Sequence, residues 1–552
     1  VESIGPMLER LCELDLITQR PEAGPDTYAF RHILTQEAIY SSILRHQRPK
    51  LHRVVAESIE VLHKKDISAH IAQLAHHFDY ARERQKALYY TLKSGETAQQ
   101  RFANRDSIEY YSRALQLSQH FSRAQEERWR AAIGMGDVQQ HIGEYEEALA
   151  FYEAALEEHV DAQPESQAEV MLKIGRVWDK RGVMDSAEYW YQAAASKLET
   201  INTPVPRIRA EVCAALGWLE MRKGNLPGAE KLLEKAVDLV KLTPNYEVLS
   251  SSLNRLGGVY FNQGKWDAAV LAVAQSLEIR EQLNDLVGIA RSSNNLGILM
   301  RSSGDMHGAL DNYQRSLEAL TRVGDTEGTA IAHTNIANVY IDLGEWVQAE
   351  DNLQQSFAIA QRIANPTEIA QAHLNLARLY IYQKTWKQAD THLRSAISLF
   401  TQSSSASNPN LIDAYWVQGM LNLEQHQLDE AEKSKEKCFG LLKEMTQNGR
   451  RESAEWGRYE QLAGRIALSR NQATKALHHL ENARAIFEKT NTIIEEGLST
   501  YWCGIAMHVT GKTAQAITTL QAALSIFERL DARSSIDLVN NTILELTKVR
   551  SV

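Results

Sequence analysis

The chain has 552 residues, 44% of them hydrophobic and 24% charged, with a formal net charge of −10. That composition is ordinary for a folded protein, and the acidic balance excludes a general basic face for nucleic acid. No run of 18 apolar residues occurs, so no membrane-spanning helix is expected. Cys12, Cys213, Cys438 and Cys503 stand far apart without CxxC spacing, as buried thiols in a reducing compartment do. Val1 opens no charged leader or apolar signal segment. The chain therefore reads as cytoplasmic and as part of something longer.

Residues 1–66 follow no period. Met7–Leu14 is spaced as an amphipathic helix. Leu16–Arg20 and Thr27–Arg31 read as short strands around the turn Pro21–Asp26. One long helical stretch is expected from Leu34 to Ile59. Helix, hairpin and helix together give a winged-helix outline. Arg45, Arg48, Lys50, His52 and Arg53 cluster on that long helix. A DNA-reading helix would expose base-contacting side chains. This cluster reads instead as a solvated face or an interdomain contact.

From about residue 85 to 546 a small residue recurs at a step near 40: Ala148, Ala187, Ala229, Ala269, Ala309, Ala349, Ala389, Ala431, Ala476 and Ala516. Gly precedes many of them by five residues, as at Gly264, Gly304 and Gly344, and again seven residues earlier, as at Gly257 and Gly297. A period of this length marks a solenoid of identical helical units. In each unit the first helix ends at the second Gly, in a left-handed turn that needs no Cβ. The second helix starts near Asp267 and turns Ala269 toward a closely approaching backbone. Lys384 and His426 replace the turn Gly, so weaker caps are expected there. The domains read as 1–66, an array over 67–400, a flexible loop at 401–410, and further array over 411–552. Pro204 and Pro206 end another inter-unit loop.

No HExxH, GxSxG or phosphate-loop motif is present, so neither catalysis nor a cofactor is expected. His76–His77 and His478–His479 are adjacent pairs that face different sides of a helix, and no metal site is expected. Trp266, Trp346 and Trp386 share one repeat position and read as packing between units. One constellation stands out. Asn295, Asn335 and Asn375 lie 40 residues apart, and Arg255 holds the same position one unit earlier. Asn294 sits one residue before Asn295. Asn338 and Arg378 each follow the small residue of their helix, and Arg291 and Arg301 share the helix of Asn295. An Asn amide both donates and accepts, matching any peptide group, and Arg offers a fork for a carboxylate. The ladder could grip a polypeptide, centred on residues 250–380, or could bond unit to unit and set the stacking angle.

The Leu256–Gly257 pair, the aromatic three residues later (Tyr260, Tyr340, Tyr380), the turn Gly and the Ala five beyond it resemble the tetratricopeptide repeat. Its usual unit is 34 residues, and the surplus here lengthens both helices. The resemblance implies an all-α right-handed superhelix of about eleven to twelve helix pairs. It also implies first helices on the concave face, where Asn and Arg bind peptide backbone or a carboxylate. The segment Tyr28–Tyr40, followed by Arg48–His52, Ile71–Phe78 and Ala87–Tyr90, is similar to the winged-helix module of signal-transduction ATPases with numerous domains. That likeness implies an ATPase core upstream of Val1 and a phosphate-contacting role for His32, although Arg31 and Ile33 replace the flanking Met and Asp of the motif. The function implied is a non-catalytic sensor arm that binds a protein or peptide. The alternatives are a stand-alone scaffold, or a winged-helix transcription regulator with a repeat sensor.

Overall fold

The computed structural model describes residues 4–20, 27–158, 163–201, 205–242, 245–402, 409–445, 453–490 and 492–548. The turn expected at Pro21–Asp26, Pro204, and most of the loop expected at 401–410 lie outside these residues. Among the described residues the fold is all-α apart from one two-stranded sheet. Two compact units divide it, Val1–Ile208 and Arg209–Val552.

The first unit opens with the helix Gly5–Glu13 and two strands, Ile17–Gln19 and Tyr28–Phe30, antiparallel with Ile17 opposite Phe30. The single long helix expected from Leu34 to Ile59 is two helices, Ile33–Ser42 and Arg48–Leu62. Pro49 stands in the first turn of the second. Its ring would clash with the carbonyl four residues back, and it has no N–H to give. Ile43 is extended between the helices, at φ −69° and ψ 129°. The Arg48 guanidinium donates to the carbonyls of Ile43 (3.0 Å) and Ser41 (2.9 Å), satisfying acceptors that the helix end leaves open. The helix Ile71–Tyr80 follows, and helix pairs then run from Arg84 to Glu199.

The repeat joint is visible atom by atom. A Cβ on Gly136, Gly175 or Gly297 would lie 2.5, 2.5 and 2.7 Å from the rings of Tyr152, Tyr191 and Tyr313. On Gly257, Gly464 or Gly504 it would lie 2.4, 2.6 and 2.7 Å from Val273, Leu480 and Leu520. Each partner is the residue sixteen on, and each is fully buried. The carbonyls of Ala269, Ala476 and Ala516 lie 3.2–3.3 Å from the same points, so the two backbones do approach closely, as the spacing predicts. The Gly adds a socket for one large side chain of the second helix.

The turns also hold. Gly264 and Gly304 have φ of 73° and 95°, and Lys384 and His426 take the same left-handed conformation at 58° without glycine. Asp285 and Asp325 between units, and Asp305 inside one, cap the next helix by accepting from the Gly288, Gly328 and Gly308 N–H groups at 2.8–2.9 Å. Trp346 stacks on Tyr382 of the following unit, with ring centroids 5.9 Å apart.

Within the second unit the array bends until its last helices meet its middle ones. Met306, Tyr313, Ile336, Val339 and Leu343 share one apolar cluster with Leu520, Phe527, Leu530 and Val539. A Cβ on Gly304 would lie 2.7 Å from the Arg529 carbonyl. Among the described residues, no helix is long and apolar enough to cross a membrane.

Candidate binding surface inside the second unit

The ladder residues make rungs between units. Asn295 Nδ2 donates to Asn254 Oδ1 (3.2 Å), and Asn335 Nδ2 donates to Asn294 Oδ1 (2.8 Å). Arg255 donates to the Ala214 carbonyl of the preceding unit (2.9 Å) and lies 5.8 Å from the Trp218 ring. Asn375 leaves the series: it is buried and accepts from Gln371 on its own helix (3.3 Å). Arg291 is exposed and Asn338 half-buried.

Further along the same helices the rungs become ionic. Arg301 Nε donates to Asp342 Oδ2 at 2.6 Å. Burial and Glu495 push the Asp342 carboxyl up, while Arg301 pulls it down. Burial alone would lower the Arg301 guanidinium, but Asp342 holds it above its ordinary value. Tyr382 is pushed up to about 12 by burial, with Glu495 and Asp342 adding to it, although half of its surface stays accessible. Such a side chain is surrounded by protein yet wetted. It lies inside the bend of the array, where Glu495 of the penultimate first helix reaches Arg301 and Asp342.

The densest part centres on Asp413. Arg378 donates to its Oδ2 (3.2 Å) and Arg458 to its Oδ1 (2.7 Å). Both guanidinium carbons lie over Trp416, at 5.5 and 5.7 Å from the ring centroid. The Nε atoms of both arginines and Nε1 of Trp416 are buried without a hydrogen-bond partner. Two cations thus share one anion, and three donors stand unused. Leaving a buried donor unmade costs about 1–3 kcal/mol, so an incoming acceptor is favoured here. One unit on, Arg465 pairs with Glu424 (2.8 Å) and lies 4.4 Å over Trp502.

The sequence reading reached Arg291, Arg301, Asn338 and Arg378 but not Asp342, Asp413, Trp416, Arg458, Arg465 or Glu495. A signal was available. Arg465 occupies the repeat position of Asn338 and Arg378, and Asp413 and Arg458 that of Arg291. The spacing shifts to 42 and 45 after residue 389, which hides the register.

In the first unit, His32 is exposed at the strand–helix junction and precedes the helix Ile33–Ser42 with no side-chain cap. The structure gives the pair His76–His77 a third neighbour. His52, from the helix before, joins them, and one ring nitrogen from each of the three lies within 4.8 Å of the others. His52 Nδ1 bonds His77 Nδ1 at 2.8 Å, and His52 Nε2 bonds the Tyr40 hydroxyl at 2.9 Å. Burial, then the neighbouring His52 and His76, lowers His77 to about 4. The pair His478–His479 stays apart, with His479 bonding Glu460 at 2.6 Å.

Stacked helix pairs joined through glycine sockets and left-handed turns define an α-solenoid of the tetratricopeptide type. The chain belongs to the family of the MalT-like TPR region, which matches residues 210–531, and a tetratricopeptide repeat match covers residues 135–199. An uncharacterized protein of Rhizobium meliloti (strain 1021) is 31% identical over 111 residues, 20% of this chain and 11% of that protein. This chain therefore spans about a ninth of the length of that curated relative.

Two solved structures are similar in fold. One is a signal transduction ATPase with numerous domains and a tetratricopeptide repeat sensor, from Pyrococcus horikoshii. It is 15% identical, with TM-score 0.48, covering 70% of this chain and 57% of that one. The other is a Rap protein complexed with competence and sporulation factor, 13% identical with TM-score 0.46, covering 70% and 98%. Neither reaches a TM-score of 0.5.

Proposed function

We propose that the inner face of the second unit binds a polypeptide carrying a carboxylate, and that the chain is the sensor arm of a signal-transduction ATPase. The observation that carries the binding is the Asp413 cluster. Arg378, Arg458 and Trp416 converge there with three buried donors unmade. A carboxylate would complete them with charge-assisted bonds. Arg291 and Asn338 extend the surface toward the N-terminus. Asn294, Asn295, Asn335 and Arg255 hold the stacking angle through their inter-unit bonds, Asn375 packs inside its own unit, and Arg301 is held by Asp342. The sensor role is supported by the likeness of residues 28–90 to the winged-helix module, in which His32 matches the phosphate-contacting position. A ligand switches such an arm only if it prefers one curvature of the array over another. The cytoplasm is the setting this reading expects.

The test is a peptide array of free C-terminal acids with their matching C-terminal amides, probed with the purified chain. We expect acids to be retained at least tenfold better than amides, and Trp416→Phe to remove much of that preference while the melting temperature holds. Equal retention of acids and amides contradicts the assignment.

A further inference from the structure

We propose that His52, His76 and His77 of the first unit form a site for one divalent transition ion of the zinc class. The three imidazoles come from two helices, Arg48–Leu62 and Ile71–Tyr80, and one nitrogen of each falls within 4.8 Å of the other two. Ligands on one tetrahedral zinc, each at about 2.0–2.1 Å, sit roughly 3.3 Å apart. The His52–His77 separation of 2.8 Å therefore needs only a small opening. An all-imidazole set suits zinc, copper or nickel rather than calcium or magnesium.

Two further features fit a ligand set better than a packing cluster. Tyr40 bonds the far nitrogen of His52, Nε2, at 2.9 Å. This outer contact holds the ring with Nδ1 toward His77, and a hydrogen-bond partner on the far nitrogen is what metal-bound imidazoles have. His76 is exposed while His52 is buried, giving an open side for the ion to enter and for a water to take the fourth position. In the loaded site each neutral imidazole of His52 and His77 carries its single proton on Nε2, His52 donating it to the Tyr40 oxygen, so that both Nδ1 lone pairs face the ion and no hydrogen bond remains between them. The ion would then tie the helix Arg48–Leu62, which follows the hairpin segment, to the first helix of the array.

The tag-free chain is titrated with Co²⁺, followed by its visible d–d absorption, and with Zn²⁺ against a chromophoric chelator. The expected result is one ion per chain, tetrahedral cobalt bands, and a melting temperature that rises with zinc. His76→Ala alters an exposed position and leaves the apo fold intact; it should weaken binding at least tenfold and abolish the zinc-dependent shift. His77→Ala should do the same, while His63→Ala and His478→Ala should leave the affinity unchanged. No stoichiometric binding, or binding that His76→Ala and His77→Ala leave intact, overturns the proposal and assigns the cluster to packing against Tyr40 and Tyr80.

Discussion

Gly257 and Gly258 are neighbours in one helix with opposite surroundings. A Cβ on Gly257 would sit 2.4 Å from Val273, whereas one on Gly258 meets nothing within 4 Å. Gly257→Ala should destabilise the fold by about 1–3 kcal/mol through overpacking, while Gly258→Ala should stabilise it by up to about 1 kcal/mol through helix propensity. Urea melts of the two variants check the pair, and equal effects would contradict the socket. The position of the socket was legible because glycine recurs there. Its occupant was not, because Tyr, Val and Leu fill the same space and no single residue type repeats. The asparagines were equally legible as a ladder, but their partners follow from the crossing of adjacent units, which spacing alone does not give.

At the scale of the element, the rungs Asn295–Asn254 and Asn335–Asn294 join successive first helices. Each such bond is worth about 1 kcal/mol net. Asn295→Ala with Asn335→Ala should therefore lower stability by roughly 2 kcal/mol and leave peptide retention near that of the parent chain. Loss of retention at unchanged stability would return the ladder to a binding role.

A second pair links first and second helices. His373 Nδ1 and His392 Nδ1 lie 2.9 Å apart. Burial foremost, and then His392, lowers His373 to about 4, and burial lowers His392 as well. The unfolded chain takes up the His373 proton near pH 6.5, while the folded chain resists it until about pH 4, and His392 shifts in the same direction. Unfolding thus binds protons, and stability is full above pH 6.5 and declines between there and about pH 4. Thermal melts across that range should show a shallower decline for His373→Gln than for the parent chain. The helix at 34–59 was misjudged for a local reason. Its apolar spacing continues across Pro49, and only the ring geometry of proline breaks it.

At the scale of the whole molecule, each unit is described by its own core. In the second, the repeat period establishes the stacking, but the return of helices 493–548 onto helices 286–343 comes from a small rotation added at every joint. No single residue encodes it. The charged interior follows from the same bend, since Glu495 reaches Arg301 and Tyr382 only once the array has turned. Leu530→Lys, at a residue buried in that contact, should open the bend and raise the radius of gyration measured by small-angle scattering. An unchanged radius would mean that the contact does not set the curvature.

The inner face is tested most directly by amide hydrogen exchange, with and without the best free-acid peptide from the array. Protection should appear on Pro366–Tyr382, Pro409–Glu424 and Ala454–Ser469, the helices that carry Arg378, Asp413, Trp416 and Arg458. Protection confined to the second helices, such as Trp386–Gln402 and Leu428–Met445, or to Val1–Ile208, would contradict it.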